Sequence, residues 1–368
     1  MRCQNGRGGV TANRAYSPIH SSPGMSLPRL KQHLFTRDLQ TTESRFVHFG
    51  VASHFVRWLA SLCASSIVKA CRLHTLCLLL MFIPMQAWAA PAVTLLLSDT
   101  GGIYQEAATA MQTDLESAGV QVTSQYLSQR GEARREDWVV VFGVAALQQI
   151  MAERGNAPVL TVLVPRASYL RITAGKTRAV TALYLDQPLE RMAALQHNAL
   201  PNSRRTGVLL GSTMKALREE AEQAATSQRL DIRARTIDSS EEVFPALTEL
   251  SEEIDVLWLM PDPLVVNRNN LQSLFLQTYR QRLPVMAYSA ALVQAGAMLG
   301  LYATPTQLGH EAGQWLKTLI AASGRPLPMA RYPTSFVVAI NPSVARSLNM
   351  TLPTVDELTR RLRAQTFR

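Results

Sequence analysis

The segment AVTLLLSDTGGIYQEAATAMQTDLESAG at residues 92–119 is the first unit of a repeated α/β pattern. Its first six residues are continuously apolar and lead into the polar turn SDTGG at residues 98–102. Apolar residues then recur at helical spacing from Ile103 to Ala118, and Gly119 ends the run. This order predicts a buried strand, a turn and an amphipathic helix. A strand that is apolar along its whole length is typical of a parallel sheet covered by helices on both faces.

The alternation of strand and helix continues to the C-terminus and restarts once. The restart follows the turn-forming segment PNSRR at residues 201–205, which we interpret as the hinge between two lobes. Further strands are predicted at residues 120–126, 138–142, 159–164, 179–185, 206–210, 231–237, 256–260, 284–288 and 335–340. Further helices are predicted from Gly143 to about Arg154 and at residues 214–228, 241–250, 270–281, 305–322 and 355–363. The predicted fold class is therefore α/β, with two Rossmann-like lobes whose parallel sheets are joined by a hinge.

Residues 69–89 have the pattern of a secretory signal peptide. Two basic residues precede an apolar run at about 73–85, and Ala87 and Ala89 form an A-x-A cleavage site. The apolar run is shorter than the roughly 20 residues that cross a bilayer. We therefore expect cleavage near Ala89 and a periplasmic protein.

The domain prediction follows from this leader. Residues 1–68 are predicted to be disordered or to result from a start codon assigned too early, and the alternative is a disordered cytoplasmic tail on an uncleaved anchor. The mature chain then consists of lobe 1 at residues 90–203, completed by part of residues 300–368, and lobe 2 at residues 204–300.

Composition excludes several classes of function once the leader is set aside. All four cysteines and five of the seven histidines lie before residue 90, which argues against a disulfide, a thiol nucleophile or a zinc site in the mature chain. The net charge of +10 for the whole chain also arises mostly before residue 90. The nearly neutral remainder lacks the basic footprint of a nucleic-acid binder. We predict no catalytic residue, no metal ligand and no cofactor.

Polar residues at the ends of the predicted strands form the candidate ligand site. In open parallel sheets, ligands bind outside the carboxyl ends of the strands. The candidate ligand-binding residues are Ser98, Asp99, Thr100, Gly101, Tyr104, Gly143, Arg166, Asp186, Ser212, Asp262, Tyr288 and Ser289.

Three of these acidic residues have a second interpretation. The Asp99-Thr100-Gly101 string matches the short motif of aspartic proteases, but that chemistry needs two carboxylates, and the sequence contains no second such string. A turn that faces a ligand, or a structural cap, explains it better. Asp186 and Asp262 are each predicted to contact a ligand or to cap a helix or turn.

Several segments resemble one known family. They are residues 186–191 (DQPLER), 200–209 (LPNSRRTGVL), 255–263 (DVLWLMPDP), 267–270 with 278–280 (TYR), and 283–302 (LPVMAYSAALVQAGAMLGLY). In this order they resemble the extracytoplasmic substrate-binding proteins of uncharacterised ABC-type transport systems, within the type I periplasmic binding protein fold.

The resemblance implies a monomeric, non-enzymatic protein whose two lobes close on a small organic ligand, amino acid-like or otherwise. It also implies an ABC permease in the inner membrane as the partner of the closed form. Relatives include binders of aromatic amino acids, and Arg166 is the candidate partner for a ligand carboxylate. The alternatives are a periplasmic sensory module for a membrane receptor or kinase, and an extracytoplasmic α/β enzyme.

Overall fold

The computed structural model describes residues 90–130, 137–214, 217–322 and 324–365. Residues Ala87–Arg368 form one compact unit. The N-terminal extension and the signal peptide predicted from the sequence lie outside the described residues, so both stay predictions.

The first lobe is a parallel sheet with helices between its strands. Its strands are β1 (Ala92–Leu97), β2 (Gln121–Tyr126), β3 (Trp138–Phe142), β4 (Val159–Val164) and β5 (Val180–Tyr184). The connecting helices are α1 (Gly102–Glu116), α2 (Val144–Ala152) and α3 (Arg166–Thr173). The strands pair in the order β2-β1-β3-β4-β5. All of β3 and β4 is buried, as expected for central strands that helices cover on both faces.

The second lobe is a larger sheet of the same kind. Its strands are β6 (Arg205–Gly211), β7 (Asp231–Ile237), β8 (Val256–Trp258), β9 (Val285–Ala287), β10 (Leu299–Tyr302) and β11 (Val337–Ile340). Its helices are α4 (Leu189–Ala199), α5 (Leu217–Ser227), α6 (Val243–Ser251), α7 (Leu271–Arg280), α8 (Ala290–Ala295), α10 (Pro342–Ser347) and α11 (Val355–Arg363). The order is β11-β10-β9-β8-β6-β7, and β11 is antiparallel to β10 while the other pairs are parallel. The predicted α/β fold class is confirmed.

The chain passes between the two lobes three times within the described residues. It leaves the first sheet after β5, and Leu189 and Leu195 of α4 pack in the same core as Leu210 of β6. It returns after β10 through helix α9 (Pro305–Ala321), whose Leu308 and Trp315 pack in the first core. It then crosses back to β11.

These crossings differ from the predicted boundary between residues 203 and 204. The turn at residues 201–205 joins α4 to β6, and both elements belong to the second core. The first crossing lies instead at residues 185–188, between β5 and α4. Pro, Asn and Ser mark a turn, but they do not reveal which sheet the flanking elements cover.

The sequence predicts most of the strands and helices. The bounds predicted for β3, β4, β7 and α11 are those observed. Five elements were not predicted, and they are α3, α4, α8, β10 and α10. Four of these five are short, and α4 was missed because it is buried on nearly all sides and lacks a clear polar face.

Helix α9 packs closely against α1 through glycine. A Cβ atom added to Gly309 would lie 2.2 Å from the carbonyl oxygen of Ala107 and 2.9 Å from the Cβ of Ala110. The backbones therefore approach at this point more closely than any larger residue allows.

We expect Gly309→Ala to destabilise the protein by about 1–3 kcal/mol, because the added methyl group overpacks the α1–α9 contact. Gly102→Ala is the matched control, since a Cβ at this helical glycine meets nothing within 4 Å. Chemical denaturation of both variants checks this. Equal stability of the two variants would contradict the packing argument.

Candidate functional site

The carboxyl ends of β1 and β3 bring three of the predicted site residues together. Ser98 Oγ accepts a hydrogen bond from the backbone N–H of Ala146 at 2.9 Å, at the start of α2. Gly143 has a φ of 95°, and a Cβ there would lie 2.6 Å from Tyr104 Cε1 and 2.7 Å from Ser98 Oγ. Glycine at this position therefore lets the Tyr104 ring lie over the turn between β3 and α2.

The Asp99-Thr100-Gly101 turn lies beside this ring and faces solvent. Asp99 Oδ1 accepts a hydrogen bond from the backbone N–H of Thr100 at 2.7 Å, and both residues are exposed. Gly101 is the residue that precedes the first turn of α1. Burial, and secondarily the charge of Asp99, raise the pKa of Tyr104. This is the geometry of a turn at a helix start, as the sequence analysis favoured over a catalytic motif.

Arg166 is already engaged in an ion pair between the lobes. Its guanidinium Nη1 lies 2.8 Å from Glu220 Oε2 on α5. Glu220 Oε1 also accepts a hydrogen bond from the Tyr332 hydroxyl at 2.9 Å. Since Arg166 and Tyr332 belong to the first lobe and Glu220 to the second, this carboxylate joins the two lobes. In this structure the guanidinium pairs with Glu220, and its contact with a ligand carboxylate stays a prediction.

Three tyrosines form an aromatic wall next to this ion pair. The Tyr184 ring packs edge-on against Tyr169 and Tyr332, with ring centroids 5.6 Å and 5.3 Å away. Burial raises the pKa of Tyr169 to about 12, with a smaller contribution from Tyr184. Burial also raises the pKa values of Tyr184 and Tyr332. All three phenols are therefore neutral at physiological pH.

Asp262 caps its own loop in the second lobe. Its Oδ2 accepts the backbone N–H of Gly211 at 2.6 Å, and its Oδ1 accepts that of Leu264 at 2.9 Å. The side chain is almost completely buried, with 1% exposure. Asp262 was predicted either to contact a ligand or to cap a helix or turn, and its contacts in the structure are those of a cap.

The serines of the second lobe have different surroundings. Ser289 begins α8, and its side chain accepts the backbone N–H of Leu292 at 3.3 Å. Ser212 begins a 3₁₀ turn after β6 and is exposed. Ser289 is therefore a helix cap, whereas Ser212 is open to solvent.

Asp186 and Tyr288 meet at a small cavity between the lobes. Asp186 Oδ2 accepts the backbone N–H of Arg166, at the start of α3, over 2.5 Å. Burial raises the pKa of Asp186 to about 6, and the Arg166 N–H opposes this shift. Burial and the nearby carboxylates of Asp186 and Asp262 raise the pKa of Tyr288 to about 12. The cavity measures about 20 Å³ and is lined by Asp186, Gln187, Leu189, Met192, Leu259, Met260, Pro261, Tyr288 and Leu301.

Glu220, Tyr332 and Gln187 lie at the site but were not predicted from the sequence. Glu220 lies on a helix with two other glutamates, and nothing in the local sequence distinguishes it from them. Tyr332 follows α9 by eleven residues, and only the third crossing brings it to Glu220. Gln187 follows Asp186 in the sequence, so the rule that selected residues after the strand ends could also have selected it.

Comparison with known proteins assigns the family. Residues 110–359 match the family described as ABC transporter substrate binding protein. The chain belongs to this family. Among curated proteins, none shows significant sequence similarity to the chain.

Several solved structures have a fold similar to that of this substrate-binding protein. A Streptococcus pneumoniae ABC domain in complex with L-Trp has a TM-score of 0.56 and 16% identity, covering 74% of this chain and 98% of its own. A conserved domain protein from Vibrio cholerae has a TM-score of 0.56 and 17% identity, with the same coverage. The open, ligand-free CD0873 of Clostridium difficile, a substrate-binding protein with adhesive properties, has a TM-score of 0.56 and 16% identity over 72% and 97%. At these identities the likeness shows the fold.

The described residues of the substrate-binding protein were also searched for membrane-spanning helices and for groups of metal-binding side chains. No helix in that part of the chain is long and apolar enough to cross a membrane. Nor do the described His, Cys, Asp and Glu side chains form a group of three or more that could hold a metal ion.

The raised pKa of Asp186 leads to a prediction about stability. We expect Asp186→Asn to stabilise the ligand-free protein at neutral pH by about 1–2 kcal/mol, because the amide is not charged and keeps an oxygen for the Arg166 N–H. The folded-state pKa of about 6 lies above the ordinary 3.8. The folded protein therefore binds more protons than the unfolded chain between these values, and its free energy of unfolding falls as pH rises through this window.

Thermal denaturation at a series of pH values measures this effect. The stability difference between Asp186→Asn and the unchanged protein should be complete above about pH 6 and should vanish below about pH 3.8. A variant that is less stable at neutral pH would show that the carboxylate contributes to the fold rather than costing stability.

Proposed function

We propose that this protein captures a small organic solute in the cleft between its lobes and delivers it to an ABC permease in the inner membrane. The observation that carries the proposal is the family match over residues 110–359, together with two sheets joined by three crossings. In such a fold the carboxyl ends of both sets of strands are available to one ligand.

The ligand site that we propose includes residues from both lobes. Tyr104, Asp186 and Tyr288 are its direct contacts, because each retains some exposure at a strand end or crossing. Asp99, Thr100 and Ser212 face solvent at the mouths of the two lobes. The remaining candidates position these residues rather than contact the ligand, and they are Ser98, Gly101, Gly143, Arg166, Asp262 and Ser289.

Closure would proceed by rotation of the lobes about the three crossings. A ligand shifts the equilibrium between open and closed forms only through contacts that differ between the two. Glu220 bonds both Arg166 and Tyr332 of the other lobe. We infer that these bonds limit the rotation at the side of the cleft near the crossings.

Binding is expected to depend on one tyrosine from each lobe. A ligand at 100 times its Kd adds about 2.7 kcal/mol to stability, which a thermal-shift screen of amino acids, amines, sugars and nucleosides detects. Tyr104→Ala and Tyr288→Ala should each weaken binding of a hit by about tenfold or more, because an aromatic contact is lost. Tyr279→Ala is the control, since this tyrosine is 54% exposed on α7 and outside the proposed site.

Two outcomes would contradict this proposal. If neither tyrosine variant changes the affinity for a hit, the ligand site lies elsewhere on the molecule. If no soluble compound stabilises the protein, capture of a small solute is wrong, and a macromolecular partner is the better hypothesis.

Export through the leader is the second part of the proposal. We expect the protein recovered from the periplasm to begin at Ala90, because the A-x-A site ends at Ala89. N-terminal sequencing of the exported protein, with Ala87→Arg as a cleavage-blocking variant and Ala92→Arg as a control beyond the site, tests this. An exported protein that retains residues 69–89 would support the anchor instead.

A further inference from the structure

The amino-terminal edge of the first sheet carries a wide apolar groove. Pro91, Trp138, Pro158 and Ala179 line it, and they lie at or just before the first residues of β1, β3, β4 and β5. The groove measures about 890 Å³, and its other wall is the end of α9 with the segment that follows this helix. The proposed ligand cleft lies at the opposite edge, at the carboxyl ends of the strands. A partner that contacts the groove therefore leaves the cleft uncovered.

A basic cavity adjoins the groove. It measures about 530 Å³ and is lined by the loops that follow α2 and α3, and Ala179 lines both the cavity and the groove. Arg154 and Lys176 are exposed in the cavity, and Arg325 is exposed in the groove. Within the described residues, none of these three cations forms an ion pair. Arg178 also lines the cavity, where its guanidinium donates to two backbone carbonyls.

The two carboxylates that line the groove and the cavity have partners within the protein. Asp137 Oδ2 accepts a hydrogen bond from the backbone N–H of Ala92 at 3.0 Å. Glu153 Oε2 lies 2.9 Å from the guanidinium of Arg130. These carboxylates are therefore not directed at the three exposed cations, and the surface beside the groove is positively charged.

Met329 adds an exposed apolar side chain at the margin of the groove. It is 90% exposed and directly follows Pro328, which lines the groove. The hydroxyl of Thr181 donates to the carbonyl oxygen of Pro328 at 2.9 Å, so β5 holds this segment in place. An exposed methionine next to an apolar groove forms a patch rather than a single exposed residue, and such patches mark sites of interaction.

The chain enters the first lobe at the same edge. The first described residue is Ala90, and the next residue, Pro91, lines the groove. The apolar run of the leader, at about residues 73–85, ends five residues before Ala90 in the sequence. A leader that inserts into a bilayer therefore tethers the lobe through the residues next to the groove.

We propose that this amino-end face, formed by the groove, the basic cavity and Met329, docks on the surface of an anionic phospholipid bilayer. Arg154, Lys176 and Arg325 contact lipid phosphates, while Met329 and the rim of the groove lie among the headgroups. Apolar and cationic groups side by side match a lipid surface, whereas a soluble anion makes no use of the groove. A nucleic acid requires a wider basic footprint than three cations. The inference does not depend on which solute the cleft binds, or on whether it binds one.

Flotation with vesicles of defined charge tests the docking. The protein recovered from the periplasm is mixed with vesicles of phosphatidylethanolamine that contain about 30% phosphatidylglycerol, and in parallel with vesicles of phosphatidylcholine. At about 50 mM salt the protein should float with the anionic vesicles and not with the neutral ones. Binding should be largely lost at about 0.5 M salt, because salt screens the attraction between exposed charges.

Paired variants locate the charge effect. The double variant Arg154→Gln with Lys176→Gln should lower the partition coefficient for anionic vesicles by about 10- to 30-fold, because two attractive charges are removed. Arg229→Gln with Arg282→Gln is the matched control, since both arginines are exposed just after helices of the second lobe. This control should bind as the unchanged protein does. All of these proteins have the same N-terminus, so a retained leader cannot cause a difference between them.

A second pair of variants tests the apolar contact. Met329→Ser should weaken binding to anionic vesicles by about three- to tenfold, because it removes an apolar side chain that enters the headgroup region. Leu276→Ser is the control, since Leu276 is 48% exposed on α7 of the second lobe. Both positions are exposed, so neither change is expected to alter folding.

Three results would overturn the proposal. If the protein does not float with anionic vesicles at low salt, or if the two double variants bind equally well, the amino-end face is not a membrane-docking surface. If inorganic phosphate displaces the protein from vesicles at constant ionic strength, the cations bind a soluble anion instead. If single-stranded poly(A) binds and loses affinity in Arg154→Gln with Lys176→Gln while vesicles do not bind, the partner is a nucleic acid.

Discussion

The constraint on which this structure depends is the need to cover both faces of two parallel sheets. β3 and β4 of the first sheet and β8 and β9 of the second are buried along their whole length, so helices must lie on either side of each sheet. The chain meets this requirement by crossing between lobes, since α4 follows a strand of the first sheet but covers the second, and α9 does the reverse. The crossings in turn place the carboxyl ends of both sets of strands at one cleft.

Asp186 lies at the first of these crossings and illustrates how the fold creates a site. Asp186 lies two residues after β5. Its carboxylate accepts a hydrogen bond from the backbone N–H of Arg166, the first residue of α3. A negative charge at a helix N-terminus is favourable. Burial nevertheless outweighs that contact, because the net shift in the pKa of Asp186 is upward. A buried carboxylate that costs stability is typical of residues retained for function, which supports its place in the proposed ligand site.

The site residues that the sequence predicts to lie together are those directly after the predicted strands. Ser98 and Tyr104 follow β1 and Gly143 follows β3, so the rule of carboxyl ends is enough to predict that they lie at the same edge of the sheet. The same rule did not find Glu220 or Tyr332. The contact between them spans 112 residues and depends on the third crossing, which no local periodicity encodes. The role of Asp262 as a cap likewise depends on the Gly211 N–H, a donor 51 residues away in the chain.

The sequence by itself determined the α/β class, most strand positions and the composition that argues against thiol chemistry. These properties depend on which residues are apolar and at what spacing, and both can be read along the chain. Only the tertiary structure decided where the chain changes lobe, that Arg166 is paired with Glu220, and that Asp186 lies beside a small cavity. Those properties depend on packing between segments that are distant in the chain. The free energy of burying a charge is set by the groups around it, and these groups cannot be identified from the local sequence.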